Sequence, residues 1–113
     1  ENGLALVTLD VASGTKTQPT ARISLKIKGK EKTARASGNG PVDASFNAVN
    51  IIIGKKVKLE EYLVQAITGG SDDIGKVHIQ LNYKNNIYFG FGADTDIVVA
   101  SVKAYLDGLQ KIV

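Results

Sequence analysis

Residues with acid–base, nucleophilic or metal-binding chemistry are sparse in this chain of 113 residues. There is no cysteine, which excludes a thiolate zinc site, and His78 is the single histidine. His78 alternates with Val77 and Ile79, and this pattern predicts a side chain that faces solvent. The sequence contains no Ser–His–Asp set, Walker loop or metal cluster. We therefore expect no catalytic residue and no metal site.

A glycine-rich stretch could bind an anion. Gly38-Asn39-Gly40 precedes Pro41, which suits the first position of a helix. A helix N-terminus offers N–H donors and a favourable dipole to a phosphate or carboxylate. The third glycine of a dinucleotide fingerprint is absent. The favoured interpretation is a tight strand-to-helix corner, and an anion or carboxylate site is the alternative.

Other polar groups have plain structural interpretations. Asp43 and Asp96 lie near predicted helix starts, where a carboxylate complements the helix dipole. Tyr62 lies among apolar neighbours and is expected to be a core tyrosine with its hydroxyl at the edge. The segment Thr68–Asp73 lacks the spacing of a calcium loop, so it is predicted to be a plain loop.

Composition indicates a globular domain, with 43% hydrophobic and 22% charged residues. The net charge of +3 is mildly basic, and few aromatic residues interleave with the cations of the first hairpin. A solvated face is therefore favoured over a nucleic-acid surface. No apolar run reaches the roughly 18 to 20 residues of a membrane helix. The chain begins at Glu1 without methionine, from which we expect a piece of a longer protein or a processed chain. The clustered cations are Lys26, Lys28, Lys30, Lys32 and Arg35.

The first half of the chain alternates as strands do and then changes to helical spacing. A strand is predicted over Leu4 to Val11, a second over Ala21 to Lys28, a turn at Gly29-Lys30 and a third strand over Thr33 to Ser37. A helix follows from Pro41 and ends at Gly54. The residues expected to face inward are Val7, Leu9, Val11, Ala21, Ile23, Leu25 and Ile27 on the strands, and Val42, Phe46, Val49 and Ile53 on the helix.

The second half repeats this order. Leu59 and Tyr62 have opposite strand phases, and the phase change at Glu60-Glu61 predicts a β-bulge. Strands over Val77–Tyr83 and Ile87–Phe91 flank a turn at Lys84-Asn85-Asn86, and a last helix starts at about Thr95. Its expected apolar stripe comprises Val98, Val102, Tyr105, Leu109 and Ile112.

The chain therefore has the order βββα twice, which predicts an α+β fold of antiparallel sheets with helices packed on one face. Gly38-x-Gly40 before Asp43 resembles Gly90-x-Gly92 before Asp96, a little over fifty positions later, which predicts a Gly-x-Gly corner before the helix of each copy. This similarity indicates an internal duplication, with one repeat at about 1–54 and the other at about 55–113. We expect pseudo-twofold symmetry and a crevice between the copies.

Three stretches, taken in order, carry a specific resemblance. They are Gly38-Asn39-Gly40-Pro41-Val42-Asp43-Ala44, then Leu59-Glu60-Glu61-Tyr62 through Ala66-Ile67-Thr68-Gly69-Gly70, then Thr95-Asp96-Ile97-Val98-Val99-Ala100-Ser101-Val102-Lys103-Ala104-Tyr105-Leu106. Together they resemble the allosteric C-terminal domain of the 2-isopropylmalate, citramalate and homocitrate synthase family. The resemblance covers nearly the whole chain.

The resemblance implies a homodimeric, cytoplasmic regulatory domain that binds a pathway's end-product amino acid. Leucine is the effector of the isopropylmalate enzymes, and isoleucine is that of the citramalate enzymes. In the family, the catalytic parent is a TIM barrel that uses a divalent metal to condense acetyl-CoA with a 2-oxo acid. We expect neither cofactor in this domain, and neither nucleic acid nor membrane as a partner. As the effector, leucine is favoured and isoleucine is the alternative. A basic nucleic-acid-binding module is a remote alternative function.

The resemblance also implies an effector pocket. A branched-chain amino acid needs an apolar slot for its side chain, N–H donors for its carboxylate, and carbonyls or a carboxylate for its ammonium group. Small residues leave room, so a larger side chain at Gly40 or Ala66 should block binding. The residues implied are Asn39, Gly40, Pro41, Val42, Ala44, Leu59, Tyr62, Ala66, Gly69, Gly70, Ala93, Asp94, Thr95 and Ile97.

Overall fold

The computed structural model describes residues 3–67 and 73–113 as two sheets, each followed by a helix. Both sheets are antiparallel and three-stranded, with strand orders β1-β2-β3 and β4-β5-β6. The duplicated βββα order and the α+β class are thus confirmed. The elements are β1 (Leu4–Gly14), β2 (Thr17–Ile27), β3 (Lys30–Ser37), α1 (Pro41–Ile53), β4 (Lys58–Ile67), β5 (Ile74–Tyr83), β6 (Asn86–Asp94) and α2 (Ile97–Gln110).

The chain divides into two compact units, residues 1–55 (unit 1) and 56–113 (unit 2). Each unit contains one sheet and the helix that follows it. In the ranges that the structure describes, neither helix has the length and apolar content that a membrane span requires.

The hairpin turns depend on residues that tolerate positive φ. Lys28 (φ 51°) and Gly29 (φ 85°) join β2 to β3, one residue earlier than the predicted Gly29-Lys30. Lys84 (φ 53°) and Asn85 (φ 66°) join β5 to β6. Positive φ at both central residues is the requirement of a type I′ turn, whose twist matches that of the flanking strands.

The core of unit 1 forms where β2 faces α1. Ile23 and Leu25 are fully buried, as the alternation predicted, and they face a helix whose buried residues include Phe46 and Val49. Helix α1 begins at Pro41 and is terminated by Gly54, whose φ of 72° is in the left-handed region.

A bulge in β1 changes which residues face that core. Leu6 pairs with Leu25 and Leu9 pairs with Ile23, with a register shift between Leu6 and Thr8. Val7 lies at the shift and is 43% exposed. The prediction that Val7 shares a face with Leu9 is therefore wrong, because the extra residue reverses the alternation.

Unit 2 repeats the arrangement with the predicted bulge. The register of β4 against β5 shifts between Leu59 and Glu61. Val77, Ile79 and Leu81 are buried on the face that packs against α2. Helix α2 buries the middle of its predicted stripe, but it starts two residues after Thr95 and ends at Gln110, so Ile112 lies beyond it. The buried stripe residues are Val102, Tyr105 and Leu109.

Gly90 and Gly92 have a different role from the one that their spacing suggested. Both lie inside β6, and a Cβ would come within 2.1 Å of the Ala104 carbonyl oxygen at Gly90 and within 2.4 Å of the Ala100 carbonyl oxygen at Gly92. They allow the backbones of β6 and α2 to approach closely. The prediction of a second Gly-x-Gly corner is therefore wrong.

The strand registers give the correct alignment of the two copies. Gly40 and Asp96 are the equivalent N-cap residues, each directly before its helix. Ala34, which pairs with Ile23, is the counterpart of Gly90, which pairs with Ile79. The duplication inferred from the sequence is thus present, but its glycine motifs do not correspond.

The close packing of α2 on β6 predicts that Gly92→Ala is strongly destabilising. The added methyl group would meet helix backbone, which cannot move aside as a flexible side chain can. We expect the free energy of unfolding in urea to fall by about 2 kcal/mol or more. Gly14→Ala is the control, because its Cβ would lie 3.9 Å from the nearest atom, Thr17 Oγ1. Equal unfolding midpoints for the two variants would contradict the expectation.

Candidate functional site

The corner before α1 is a tight turn built by its own backbone and by Asp43. The Gly38 N–H donates to the Pro19 carbonyl oxygen at 3.1 Å, and the Asn39 N–H donates to Asp43 Oδ2 at 2.9 Å. A Cβ on Gly38 would lie 2.5 Å from the Ala44 nitrogen, so only glycine fits there. The predicted corner is confirmed, and Asp43 lies in the first turn of α1.

The N-terminus of α1 has no cap from its N-cap side chain. Gly40 is in extended conformation and has no side chain, and Pro41 has no N–H to satisfy. A Cβ on Gly40 would meet no atom within 4 Å. The first-turn N–H groups that follow can therefore donate hydrogen bonds to a carboxylate oxygen, whose negative charge the helix dipole also favours.

The corner before α2 carries its own carboxylate cap. Asp96 accepts hydrogen bonds from the N–H groups of Val98 at 2.8 Å and Val99 at 3.2 Å. These are donors that an external anion would need. The two equivalent helix starts therefore differ in chemistry: the Asp96 side chain caps α2, whereas Gly40 gives α1 no side-chain cap and Asp43 in its first turn bonds the Asn39 N–H instead.

Asp94 presents a second carboxylate at the α2 corner. It accepts hydrogen bonds from the Asp96 N–H and from Lys103 Nζ, both at 3.0 Å. The backbone N–H of Asp96, followed by the Lys103 ammonium group, holds the pKa of the Asp94 carboxyl below its usual value. The side chain stays ionised and can attract a cationic group.

Three apolar side chains of β4 form an exposed strip that we call the β4 ledge: Leu59, Tyr62 and Val64. They pair with the buried residues Leu81, Ile79 and Val77, so they point to the same side of the sheet as α2. They are nevertheless 39%, 38% and 41% exposed, because α2 packs on β5 and β6. The ledge offers uncovered apolar surface beside a helix.

Tyr62 reaches from this ledge to the helix. Its hydroxyl lies 2.6 Å from Ser101 Oγ, and Ser101 is fully buried. The prediction of a core tyrosine with its hydroxyl at the edge is therefore wrong, because the ring is the exposed part and the hydroxyl is directed inward. Ser101 was not predicted as a site residue. The repeated βββα order could have pointed to it, because a buried serine holds the equivalent place in α1.

Ile97 lies on the same side of the sheet as the ledge. A Cβ on Gly75 would come within 2.1 Å of Ile97 Cδ1, so the Ile97 side chain rests on the Gly75 backbone. Gly75 pairs with Ala66 on β4. The structure thus places Leu59, Tyr62 and Ile97, all implied by the resemblance, on one side of the unit 2 sheet.

The remaining implied residues are distributed differently. Ala93 pairs with Lys76, so its side chain points to the sheet face opposite α2, and Thr95 is exposed at the corner. Gly69, Gly70 and the side chain of Ala66 lie outside the described residues. In unit 1, the implied residues form one continuous corner, and they are Asn39, Gly40, Pro41, Val42 and Ala44.

The other candidate groups are at the surface. His78 is exposed, as predicted, with its ring centroid 4.9 Å from that of Phe91. Within residues 3–67 and 73–113, no three histidine or acidic side chains are placed to hold a metal ion together. The five cations of the β2–β3 hairpin are exposed, as expected of a solvated face, and they are Lys26, Lys28, Lys30, Lys32 and Arg35.

The fold and its corners define a class of protein. It is a duplicated βββα domain in which the first helix has no side-chain cap at its N-terminus and the second helix is capped by an aspartate. All 113 residues match the family described as the LeuA allosteric (dimerisation) domain, and the chain belongs to this family.

Curated relatives support this assignment. The chain is 45% identical to the 2-isopropylmalate synthase of Parabacteroides distasonis over 93% of its length. It is 46% identical to that of Chromobacterium violaceum over 95%, and 42% identical to that of Vesicomyosocius okutanii over 99%. The aligned region is 21%, 22% and 21% of the Parabacteroides, Vesicomyosocius and Chromobacterium proteins, so the chain spans about a fifth of the relatives it matches.

The lowered pKa of Asp94 predicts how its contribution to stability depends on pH. Because the pKa of Asp94 in the folded protein lies below its ordinary value, the contribution is fully present above that ordinary value and is lost as the pH falls through the folded pKa. The difference in unfolding free energy between the wild type and Asp94→Asn should be constant at neutral pH and should shrink in acid.

An NMR titration tests the cause of this shift. Lys103→Met removes the ammonium group 3.0 Å from Asp94 Oδ2 and should raise the pKa of Asp94 towards its ordinary value. Lys111→Met is the control, since Lys111 lies within 4.0 Å of Asp107 instead. An unchanged Asp94 titration in Lys103→Met would contradict the assigned cause.

Proposed function

We propose that this chain is the leucine-sensing regulatory domain of a 2-isopropylmalate synthase. Binding of leucine would inhibit the condensation of acetyl-CoA with 2-oxoisovalerate by the catalytic part of the parent protein. The observation that carries the proposal is the match of all 113 residues to an allosteric domain family, together with relatives that share one name, 2-isopropylmalate synthase.

The α1 corner supports the proposal through its fit to a carboxylate. The N-cap residue Gly40 supplies no side-chain cap, and the space around it is open. A leucine carboxylate could accept hydrogen bonds from the first-turn N–H groups and gain from the helix dipole. Asp96 provides the equivalent oxygen internally in α2, which leaves the α1 corner as the better carboxylate site.

The β4 ledge supports the proposal through its fit to a branched side chain. Leu59, Tyr62 and Val64 expose apolar surface that an isobutyl group would cover. Burial of each methylene contributes about 0.8 kcal/mol, so a leucine side chain can supply several kcal/mol. The ionised Asp94 supplies a charge that suits the ammonium group.

The proposed regulation is a coupling free energy between leucine and the catalytic part. Leucine must bind one arrangement of the protein better than another, and typical couplings are about 1 to 3 kcal/mol, or roughly 5- to 150-fold. A homodimer in the cytoplasm is part of the proposal, as is a catalytic barrel with a divalent metal elsewhere in the parent chain. The family description, which includes dimerisation, supports the homodimer.

Isoleucine is the alternative effector, and a titration separates the two. Isothermal titration of the purified chain with leucine, isoleucine, valine and lysine should give saturable heat with leucine and at least about tenfold weaker binding of isoleucine. A misplaced methyl group is worth about 1 to 3 kcal/mol in such a slot. Preference for isoleucine would move the chain to the citramalate type. Absence of binding to all four amino acids would refute the sensing function.

The role of the α1 corner predicts opposite effects of Gly40→Asp on stability and on binding. An aspartate at the N-cap would cap α1 and leave the unfolding free energy equal or raised by a few tenths of a kcal/mol. Its carboxylate would occupy the site proposed for that of leucine, so affinity should fall by about tenfold or more.

Gly14→Asp is the matched control, because it adds the same charge to unit 1 at a position outside the proposed site, where a Cβ would lie 3.9 Å from Thr17 Oγ1. Its leucine affinity should equal that of the wild type. If Gly40→Asp folds normally and binds leucine as tightly as this control, the carboxylate does not bind at the α1 corner.

A further inference from the structure

The hydroxyl pair between β4 and α2 has a defined direction. Ser101 Oγ lies 2.7 Å from the Ile97 carbonyl oxygen, which can only accept, so the single Ser101 proton is donated there. Tyr62 Oη lies 2.6 Å from the same Ser101 oxygen. Tyr62 therefore donates to Ser101.

The other copy of the repeat shows what this pair adds. Ser45 occupies the equivalent place in α1, is also fully buried, and donates to the Pro41 carbonyl oxygen at 2.7 Å. Leu9 occupies the place of Tyr62, two residues after the corresponding bulge residue. The serine–carbonyl contact is thus common to both helices, and the tyrosine partner is particular to unit 2.

The hydrogen bond determines where the Tyr62 ring stands. Tyr62 is 38% exposed on an edge strand, and its hydroxyl is bonded to a fully buried oxygen of α2. This bond at the end of the side chain limits how far the ring can rotate. The ring is then a fixed wall of the β4 ledge.

We propose that Ser101 is a positioning residue for effector recognition: by accepting the Tyr62 proton, it fixes the aromatic wall against which the side chain of the effector packs. This inference rests on the proposed leucine-sensing function. Leucine and isoleucine contain the same number of carbon atoms, so covering the ledge favours neither. Discrimination between the two amino acids needs a binding surface of fixed shape. Ser101 helps to fix that shape by holding the Tyr62 hydroxyl.

The test compares Ser101→Ala with Ser45→Ala in the complete chain. Each variant removes one buried hydroxyl and its contact to a carbonyl in the first turn of a helix, and Ser101→Ala removes the bond to Tyr62 as well. Ser101→Ala should weaken leucine binding by about 3- to 10-fold in calorimetry and should reduce the preference for leucine over isoleucine. Ser45→Ala should retain the wild-type preference.

Tyr62→Phe completes a double-mutant cycle. If the two hydroxyls act as one unit, Tyr62→Phe and the double variant should show the same leucine affinity and the same preference as Ser101→Ala. Additive losses would overturn the proposal, as would an unchanged preference in Ser101→Ala or an equal loss of preference in Ser45→Ala.

A readout without ligand separates this inference from the proposed function. The chain has four tyrosines, and Tyr62→Phe identifies the Tyr62 ring signals in the NMR spectrum of tyrosine-labelled protein. Ser101→Ala should shift and broaden those signals, whereas Ser45→Ala should not. Unperturbed Tyr62 signals in Ser101→Ala would overturn the positioning role. If the signals shift but the wild-type chain binds no branched-chain amino acid, the proposed function fails, and the role in effector recognition fails with it.

Discussion

The close approach of α2 to β6 is the constraint on which the arrangement of unit 2 depends. A helix with its side chains is about 10 to 12 Å wide, whereas strands are spaced by about 4.8 Å, so one helix covers two strands better than three. Gly90 and Gly92 draw α2 towards β6, where a Cβ at either position would meet the helix backbone. The helix therefore packs on β5 and β6 and leaves the apolar side chains of β4 partly exposed as the β4 ledge.

The duplication supplies the same scaffold twice and allows its copies to diverge in chemistry. Gly40 and Asp96 are equivalent N-caps, yet one leaves the helix start open and the other closes it with a carboxylate. On the sheet face opposite the helices, Asp10, Arg22 and Arg35 form a charged cross-strand row in unit 1. In unit 2, the corresponding row comprises Leu63, His78 and Phe91. Such differences leave the cores intact, because they lie where no core residue packs.

Most of the fold could be predicted from the sequence because alternation and helical spacing are local signals. The bulge at Glu60-Glu61 and the helix limits at Pro41 and Gly54 follow from that local pattern. The errors arose where local pattern is ambiguous. A Gly-x-Gly pair is compatible both with a tight strand-to-helix corner and with a strand against which a helix packs closely. The exposure of Tyr62 depends on where α2 lies across the sheet, and the sequence pattern of a single strand does not determine that position. The grouping of the effector residues came from the family resemblance, and not from their spacing.

Each unit leaves one feature exposed that has a clear chemical preference. The β4 ledge of unit 2 carries apolar side chains about 40% exposed, and burial of such surface is favourable. The helix start of unit 1 has no side-chain cap, and a helix N-terminus favours a carboxylate. Area alone cannot distinguish isomeric side chains, because they remove equal surface from water. For the proposed effector, selectivity would therefore come from rigidity, and on the ledge the Tyr62 hydroxyl is bonded to a fully buried atom.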